Sequence, residues 1–173
     1  QGMFGFVAYD PSRRVITAVR DRFGIKPLYM IRSGSEIAFA SEIKQFIEFA
    51  GFRPRIDIRS AFDFLASGFL DHTDRTMFEG VTQIDPGSFV EIDIDSMEVR
   101  TRRWYELPTP GSIDCSSREA AERYGNILRE SVGMHVVADV PVGSCLSGGL
   151  DSSSIVCLMR DHLGADAEVH TIT

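Results

Sequence analysis

The chain has 173 residues, 43% of them apolar and 25% charged, with a net charge of −7 at neutral pH, the composition of a folded protein long enough for one domain or parts of two. The acidic balance argues against a nucleic-acid footprint, which calls for a basic patch. No apolar run nears the ~20 residues of a membrane span, no signal-peptide pattern is present, and the 3 cysteines and 4 histidines fit neither a disulfide framework nor a zinc-ligand spacing, so a reducing cytoplasm is the expected compartment.

In chain order, Met3-Phe4-Gly5-Phe6-Val7-Ala8-Tyr9 reads as a strand closed by a turn over residues 10–14, which Pro11 begins. Residues 15–19 return, and residues 29–31 and 37–39 form a second hairpin around Ser33-Gly34-Ser35. A helix is predicted from Ser41, with Ile43, Phe46 and Ile47 on one face and its end near Gly51. Asp57 is the candidate N-cap of another, with Ile58, Phe62 and Leu65 expected inward and Gly68 as its stop. "PGSFVEIDI" and "EVRTRRW" read as a further hairpin turning near Asp95-Ser96.

Proline and glycine over residues 106–112 mark a linker. The expected division is therefore one domain over 1–105, a linker over 106–115 and a second domain over 116–173. Ser116-Ser117-Arg118-Glu119 is a capping box ahead of a helix that aligns Ala121, Tyr124, Leu128 and Val132. A strand around 143–146, a polar turn, a helix from about Ser152 to Leu163 and a last strand follow. Strand, helix, strand is the start of a parallel α/β sheet; the part before the linker is mostly antiparallel, α+β. Both ends fall in strand-like segments, so the chain is expected to be an internal piece of something longer.

The segment with chemical character is "CLSGGLDSSS", residues 145–154. At a strand-to-helix turn, exposed backbone N–H groups and the helix dipole favour an anion. Gly148 and Gly149 let the backbone come close, Ser147, Ser152 and Ser153 supply hydroxyls, and Asp151 suits such a site once a divalent cation is included. It is no Walker A loop, since it has no lysine, and no G-x-S-x-G elbow. A serine-rich helix cap is the plain alternative.

The order Ser147-Gly148-Gly149-Leu150-Asp151-Ser152 resembles the SGGxDS PP-loop of the ATP pyrophosphatase family. With Asp139-Val140-Pro141-Val142-Gly143 before it, the stretch is similar to the glutamine-hydrolysing asparagine synthetase family. "GMFGFVAYD", residues 18–29 ("AVRDRFGIKPLY"), "FASEIK" at 39–44, Thr76-Met77-Phe78-Glu79-Gly80-Val81 and Ile84-Asp85-Pro86-Gly87 resemble the back half of that family's class II glutaminase domain. The resemblance implies an Ntn-hydrolase-type antiparallel glutaminase portion, then the start of an α/β PP-loop domain of the adenine nucleotide alpha-hydrolase-like kind. His135 stands where the family often has Arg or Lys, and Ala138 where Ser usually precedes the Asp, which blurs the exact substrate.

The implied activity is conversion of aspartate to asparagine with glutamine-derived ammonia, through a β-aspartyl-AMP intermediate, with ATP and Mg²⁺ required. By the resemblance Ser147, Gly148, Gly149 and Ser152 hold phosphate, Asp151 meets pyrophosphate through Mg²⁺, and Leu146 lies against the nucleoside. The family's glutaminase nucleophile is an N-terminal cysteine; Cys115, Cys145 and Cys157 are internal, so this chain carries no catalytic residue of that kind and is expected to be inactive by itself. The partners implied are small molecules (ATP, aspartate, glutamine), with no nucleic acid and no membrane. Alternatives are a related amidotransferase acting on another carboxylate, β-lactam-forming or polysaccharide-modifying, and a non-catalytic ATP-binding module.

Arg20, Asp21 and Lys26 are expected to lock a turn between strands rather than to catalyse. Ser41-Glu42-Ile43-Lys44 matches S-x-x-K but lacks the companion motifs of β-lactam-active enzymes and reads as a helix start. Asp71-His72-Thr73-Asp74 reads as an exposed loop, Cys145 as small core packing, and Trp104-Tyr105 as packing at the domain junction.

Overall fold

Alternation over the first twenty residues and the polar turn at Asp10 produce a hairpin: β1 (Gly5–Asp10) and β2 (Val15–Arg20) pair antiparallel, Gly5 opposite Arg20 and Asp10 opposite Val15. Asp10 closes the turn by accepting from the Ser12 N–H at 2.9 Å and the Arg13 N–H at 3.2 Å, the local bonding that favours Asp there. The structure, a computed structural model, describes residues 2–109, 111–164 and 167–173. The chain divides into two units, Gln1–Thr109 and Pro110–Thr173.

In the first unit β3 (Tyr29–Ser33) and β4 (Glu36–Ala40) lead into a 3₁₀ helix, Ile43–Glu48, then α1 (Ile58–Ser67), β5 (Val81–Gln83), β6 (Ser88–Asp93) and β7 (Val99–Arg103). The strands form two antiparallel sheets, β1-β2-β6-β7 and β4-β3-β5. The period of two sorts each strand's side chains between faces. Ile16, Ala18, Val90, Ile92 and Val99 of the first sheet meet Met30, Ile37 and Phe39 of the second, with Leu28 and Ile84 beside them. On the second sheet's other face, Ile31, Ala40 and Val81 pack with Phe46 and Phe52. Edge-on ring pairs, Phe46–Phe52 and Phe52–Phe78, both at 6.3 Å, favour this arrangement. The middle sheet is therefore buried on both sides.

Two expectations for this unit need correcting. The helix predicted from Ser41 is a 3₁₀ helix that starts after Glu42, where the Gln45 side-chain oxygen accepts from the Ser41 and Glu42 N–H groups at 3.1 and 3.2 Å. Three residues per turn puts Ile43, Phe46 and Phe49 on one face, and these enter the core while Ile47 is left 67% exposed. α1 keeps its expected ends: Asp57 accepts from the Ser60 N–H at 2.8 Å, and Gly68 stops the helix at φ +70°, a left-handed conformation glycine takes without penalty. Yet Ile58, Phe62 and Leu65 do not turn inward; they are 75, 68 and 83% exposed. The helix docks instead through its polar side, where Ser60 is buried and Asp63 meets His72 at 3.1 Å and Arg75 at 3.7 Å. Periodicity tells which residues share a face, not that anything covers it.

Arg20 and Asp21 lock the turn after β2, as expected. Asp21, 1% exposed, accepts from the backbone N–H of Phe4, Phe23, Ile25 and Lys26 at 3.3, 3.1, 3.1 and 2.9 Å. Arg20 donates to the carbonyls of Lys26, Ile84 and Gly24 at 2.9, 2.7 and 2.7 Å. Lys26 takes part through its main chain. Trp104 and Tyr105, expected at a domain junction, find their partners within the first unit: the indole stacks on Phe4 at 6.1 Å and donates to the Arg20 carbonyl at 3.2 Å. Tyr105 meets the edge of Phe23 at 6.0 Å and the Arg22 guanidinium at 5.1 Å.

The second unit holds α2 (Ser117–His135), β8 (Gly143–Cys145), α3 (Leu150–Leu163) and β9 (His170–Ile172). β8 and β9 are parallel, Gly143 opposite His170. The Ser116–Glu119 capping box forms, with Ser116 accepting from the Glu119 N–H and Glu119 from the Ser116 N–H. Of the predicted α2 stripe only Leu128 and Val132 join the core, with Val136, Val142, Leu158 and Met159; Tyr124 is 66% exposed. α3 approaches the end of α2, where a Cβ on Gly133 would stand 3.0 Å from the His162 ring. Cys145, expected as core packing, is exposed. Ser144, its neighbour, borders the hollow with Ile155 and Met159 of α3, so the strand's alternation turns Cys145 to the other face.

Candidate functional site

The parallel pair ends at Leu146, whose N–H donates to the Ile172 carbonyl at 2.8 Å. Residues 147–149 then reverse the chain into α3. Gly148 sits at φ +78°, and a Cβ there would meet nothing within 4 Å. The glycine is therefore required by backbone conformation and not by crowding. Gly149 is the N-cap of α3, in extended conformation, with no side chain to cap the helix. Its carbonyl accepts from the Ser153 N–H at 3.0 Å, the first turn of the helix.

A helix start leaves its first backbone N–H groups without intrahelical partners. Here no side-chain oxygen takes them up, so they and the positive end of the helix dipole face outward at the carboxyl end of a parallel strand, where open α/β sheets place ligands. Ser147 and Ser152 flank this mouth with their hydroxyls 3.1 Å apart, and Ser152 donates to the Gly149 carbonyl at 3.2 Å. Asp151 stands in the first helical turn, exposed. Leu150, between them, is 88% exposed. The helix starts at Leu150, two residues before its predicted start, and that brings Asp151 into the positively polarised first turn.

The structure thus brings Ser147, Gly148, Gly149, Asp151 and Ser152 together in one loop, with Leu146 at the end of β8. The arrangement offers donors to an anion and one carboxylate to a cation. Among the described residues no group of three or more His, Cys, Asp or Glu gathers as a metal cage, so a cation here would share its ligands with the anion it accompanies. The sequence set exposed N–H groups at this turn against a serine-rich helix cap; the geometry decides for the open start, with the Ser147 and Ser152 hydroxyls bonded to each other and Ser152 to the Gly149 carbonyl.

A further hollow lies elsewhere, an open cavity of about 800 Å³ in the first unit bordered by Arg20, Asp71, Asp74, Asp85 and Arg103. The Arg20 guanidinium there is already held by three carbonyls. The loop at Asp71-His72-Thr73-Asp74 is largely exposed, with His72 turned to Asp63.

Residues 1–105 match the family described as Glutamine amidotransferase domain. The chain belongs to that family. Residues 123–173, which include the loop, match the Asparagine synthase family. Among relatives of this amidotransferase chain, Amidase chry2 of Gibberella zeae is 38% identical over 90% of the chain and 23% of its own length. Asparagine synthetase [glutamine-hydrolyzing] 3 of Bacillus subtilis is 28% identical over 98% of the chain and 28% of its own length. Putative asparagine synthetase [glutamine-hydrolyzing] 2 of Methanocaldococcus jannaschii is 30% identical over 99% of the chain and 33% of its own length. The amidotransferase chain therefore spans between about a quarter and a third of the curated relatives it matches. Among its described residues no helix is long and apolar enough to cross a membrane.

Proposed function

We propose that this chain is part of an ATP-dependent amidotransferase that makes asparagine from aspartate with ammonia drawn from glutamine, in the cytoplasm. On this reading residues 1–105 are the later part of the glutaminase domain, 106–115 the linker, and 116–173 the start of the PP-loop domain. The observation that carries it is the uncapped start of α3 at the end of β8, with left-handed Gly148 before it.

The loop fits the pyrophosphate of ATP with Mg²⁺. Backbone N–H groups at the helix start, with Ser147 and Ser152, donate to phosphate oxygens, and Gly148 and Gly149 present no side chain in their way. Asp151 supplies the carboxylate that Mg²⁺ takes along with phosphate and water oxygens, and Leu146 borders the nucleoside. ATP serves to turn a poor leaving group into a good one. The aspartate β-carboxylate oxygen bonds to the α-phosphorus and the α–β bond breaks with loss of pyrophosphate; ammonia nitrogen then bonds to the acyl carbon and AMP departs. This chain's residues bind and orient the pyrophosphate end of that step.

The relatives named amidases favour a second reading, a related amidotransferase acting on another carboxylate. Amidase chry2 and Amidase chyE are 38% and 36% identical to this chain, against 28% and 30% for two relatives named asparagine synthetases. The test is pyrophosphate release by the longer protein with ATP, Mg²⁺ and glutamine, offering aspartate and other carboxylic acids in turn. Release with aspartate and formation of asparagine is the expected result; release only with another acid establishes the second reading, and none with any acid overturns both.

Gly148→Val probes the loop directly. Forcing a β-branched residue to φ +78° costs about 1–2 kcal/mol, so the expected outcome is nucleotide affinity lowered roughly tenfold. Isothermal titration with Mg·ATP, beside an unchanged far-ultraviolet circular dichroism spectrum, checks it.

A further inference from the structure

The ladder between β6 and β7 closes with Ser88 opposite Arg103, and one step further a single residue faces two. The Gly87 carbonyl accepts from the Trp104 N–H at 2.8 Å and from the Tyr105 N–H at 3.1 Å. Two residues opposing one is the pattern of a β-bulge, which ends the pairing and bends the strand. Gly87 is buried at φ +62°, and a Cβ on it would stand 2.9 Å from the Tyr105 carbonyl oxygen. The bulge therefore needs glycine both for its backbone conformation and for its close approach.

The bulge is tied to the loop after β2. The Gly87 N–H donates to the Asp21 carbonyl at 2.8 Å, and the Asp21 carboxylate in turn orders the N–H groups of Phe23, Ile25 and Lys26. The Trp104 indole bonds to the Arg20 carbonyl, and the Tyr105 ring lies against Phe23 and Arg22 of the same loop. Immediately beyond, residues 106–109 are exposed and the first unit ends at Thr109. Trp104 and Tyr105 thus anchor the chain where it passes into the linker, and the loop after β2 sets the point and direction of its departure.

We propose that the Gly87 bulge is a positioning device for ammonia transfer: by fixing where the linker leaves the first domain, it keeps glutamine hydrolysis coupled to amide formation in the second. This rests on the amidotransferase reading above. Each ammonia drawn from glutamine leaves one glutamate, and each ammonia that bonds to the activated acyl carbon leaves one amide. A fixed exit keeps the two counts near parity; a loosened one lets ammonia escape to solvent before it is captured. Gly87, Trp104 and Tyr105 act through the linker they anchor.

The test uses the longer protein with ATP, Mg²⁺ and the carboxylic acid it accepts. Glutamate and amide are counted with glutamine as the nitrogen source, and amide alone with ammonium salt in its place. In Gly87→Ala, which presses a methyl group on the Tyr105 carbonyl, glutamate formed per amide rises about 2- to 30-fold, the range in which one residue modulates the coupling of two sites. Glutamate formation and ammonium-supported synthesis keep their native rates. Trp104→Phe, which keeps a ring on Phe4 and removes the bond to the Arg20 carbonyl, raises the ratio in the same direction and covers the case of a Gly87→Ala protein that does not fold. A native ratio in the folded variants overturns the proposal. So does a parallel fall of glutamate formation and ammonium-supported synthesis in a folded variant, which would make the bulge a support of the fold alone. A native protein that makes no amide from ammonium salt with any acid overturns the amidotransferase reading itself, and the proposal with it.

Discussion

On the proposed function, Asp151→Ala in the longer protein lowers pyrophosphate release by on the order of 10²–10³-fold, the loss typical of removing one fixed electrostatic partner from a reacting charge. The side chain stands exposed in the first turn of α3, and the described residues gather no metal cage to substitute for it. Asp151 is the only acidic residue among residues 145–154, so on the proposed reading its removal takes away the carboxylate this loop offers the cation. The fold tolerates the change, since an acidic residue at a helix start contributes only about 0.3–1 kcal/mol. Turnover should therefore collapse while the circular dichroism spectrum stays the same, and the Mg²⁺ concentration for half-maximal rate should rise. Asp151→Asn should fall close to alanine, because an amide oxygen does not replace the charge. Undiminished turnover in Asp151→Ala would remove this residue from the site.

The largest expected effect on stability is at Asp21. Its carboxylate ties four backbone N–H groups together, and truncation to Ala leaves buried donors without an acceptor, a loss of about 3–5 kcal/mol. Urea unfolding followed by fluorescence of Trp104, the only tryptophan in the sequence, reads this unit, because the indole bonds to Arg20 beside it. A midpoint unchanged in Asp21→Ala would refute the role. The pH dependence has a definite sign. Burial opposes the charged form, but the N–H groups of Lys26, Ile25, Phe23 and Phe4 outweigh it and hold the carboxyl below its usual range. With the folded pKa below the unfolded value of about 3.9, the stabilisation is complete above that pH and is lost as pH falls through the folded pKa. The native chain should lose Trp104-reported stability more steeply than Asp21→Asn below about pH 4.

Local signals were legible wherever a residue acts on its own neighbours. Asp57 and Ser116 cap their helices and Gly68 ends one, because each bonds to backbone only a few residues away. The loop at residues 147–152 belongs to the same class: its glycines and its order in the sequence are local properties, and the structure closes it without distant partners. What failed in the reading was the assignment of apolar faces. Ile47 is turned out by a change of helical pitch, Ile58, Phe62 and Leu65 by a helix that docks through its polar side, and Cys145 by the pleat of a short strand.

By itself, then, the sequence determined the hairpins, the caps and the order of elements, since turn and cap chemistry depends on bonds between near neighbours. It also marked the two family-bearing segments and the glycine-serine turn at Gly148. Only the tertiary structure decided that the start of α3 is uncapped, that Asp21 gathers amides from both sides of a loop, and that Gly87 holds both Trp104 and Tyr105 where the sheet ends. Each of these depends on what lies beside a residue in space, and burial and hydrogen-bond satisfaction are set by that neighbour rather than by the residue's own type.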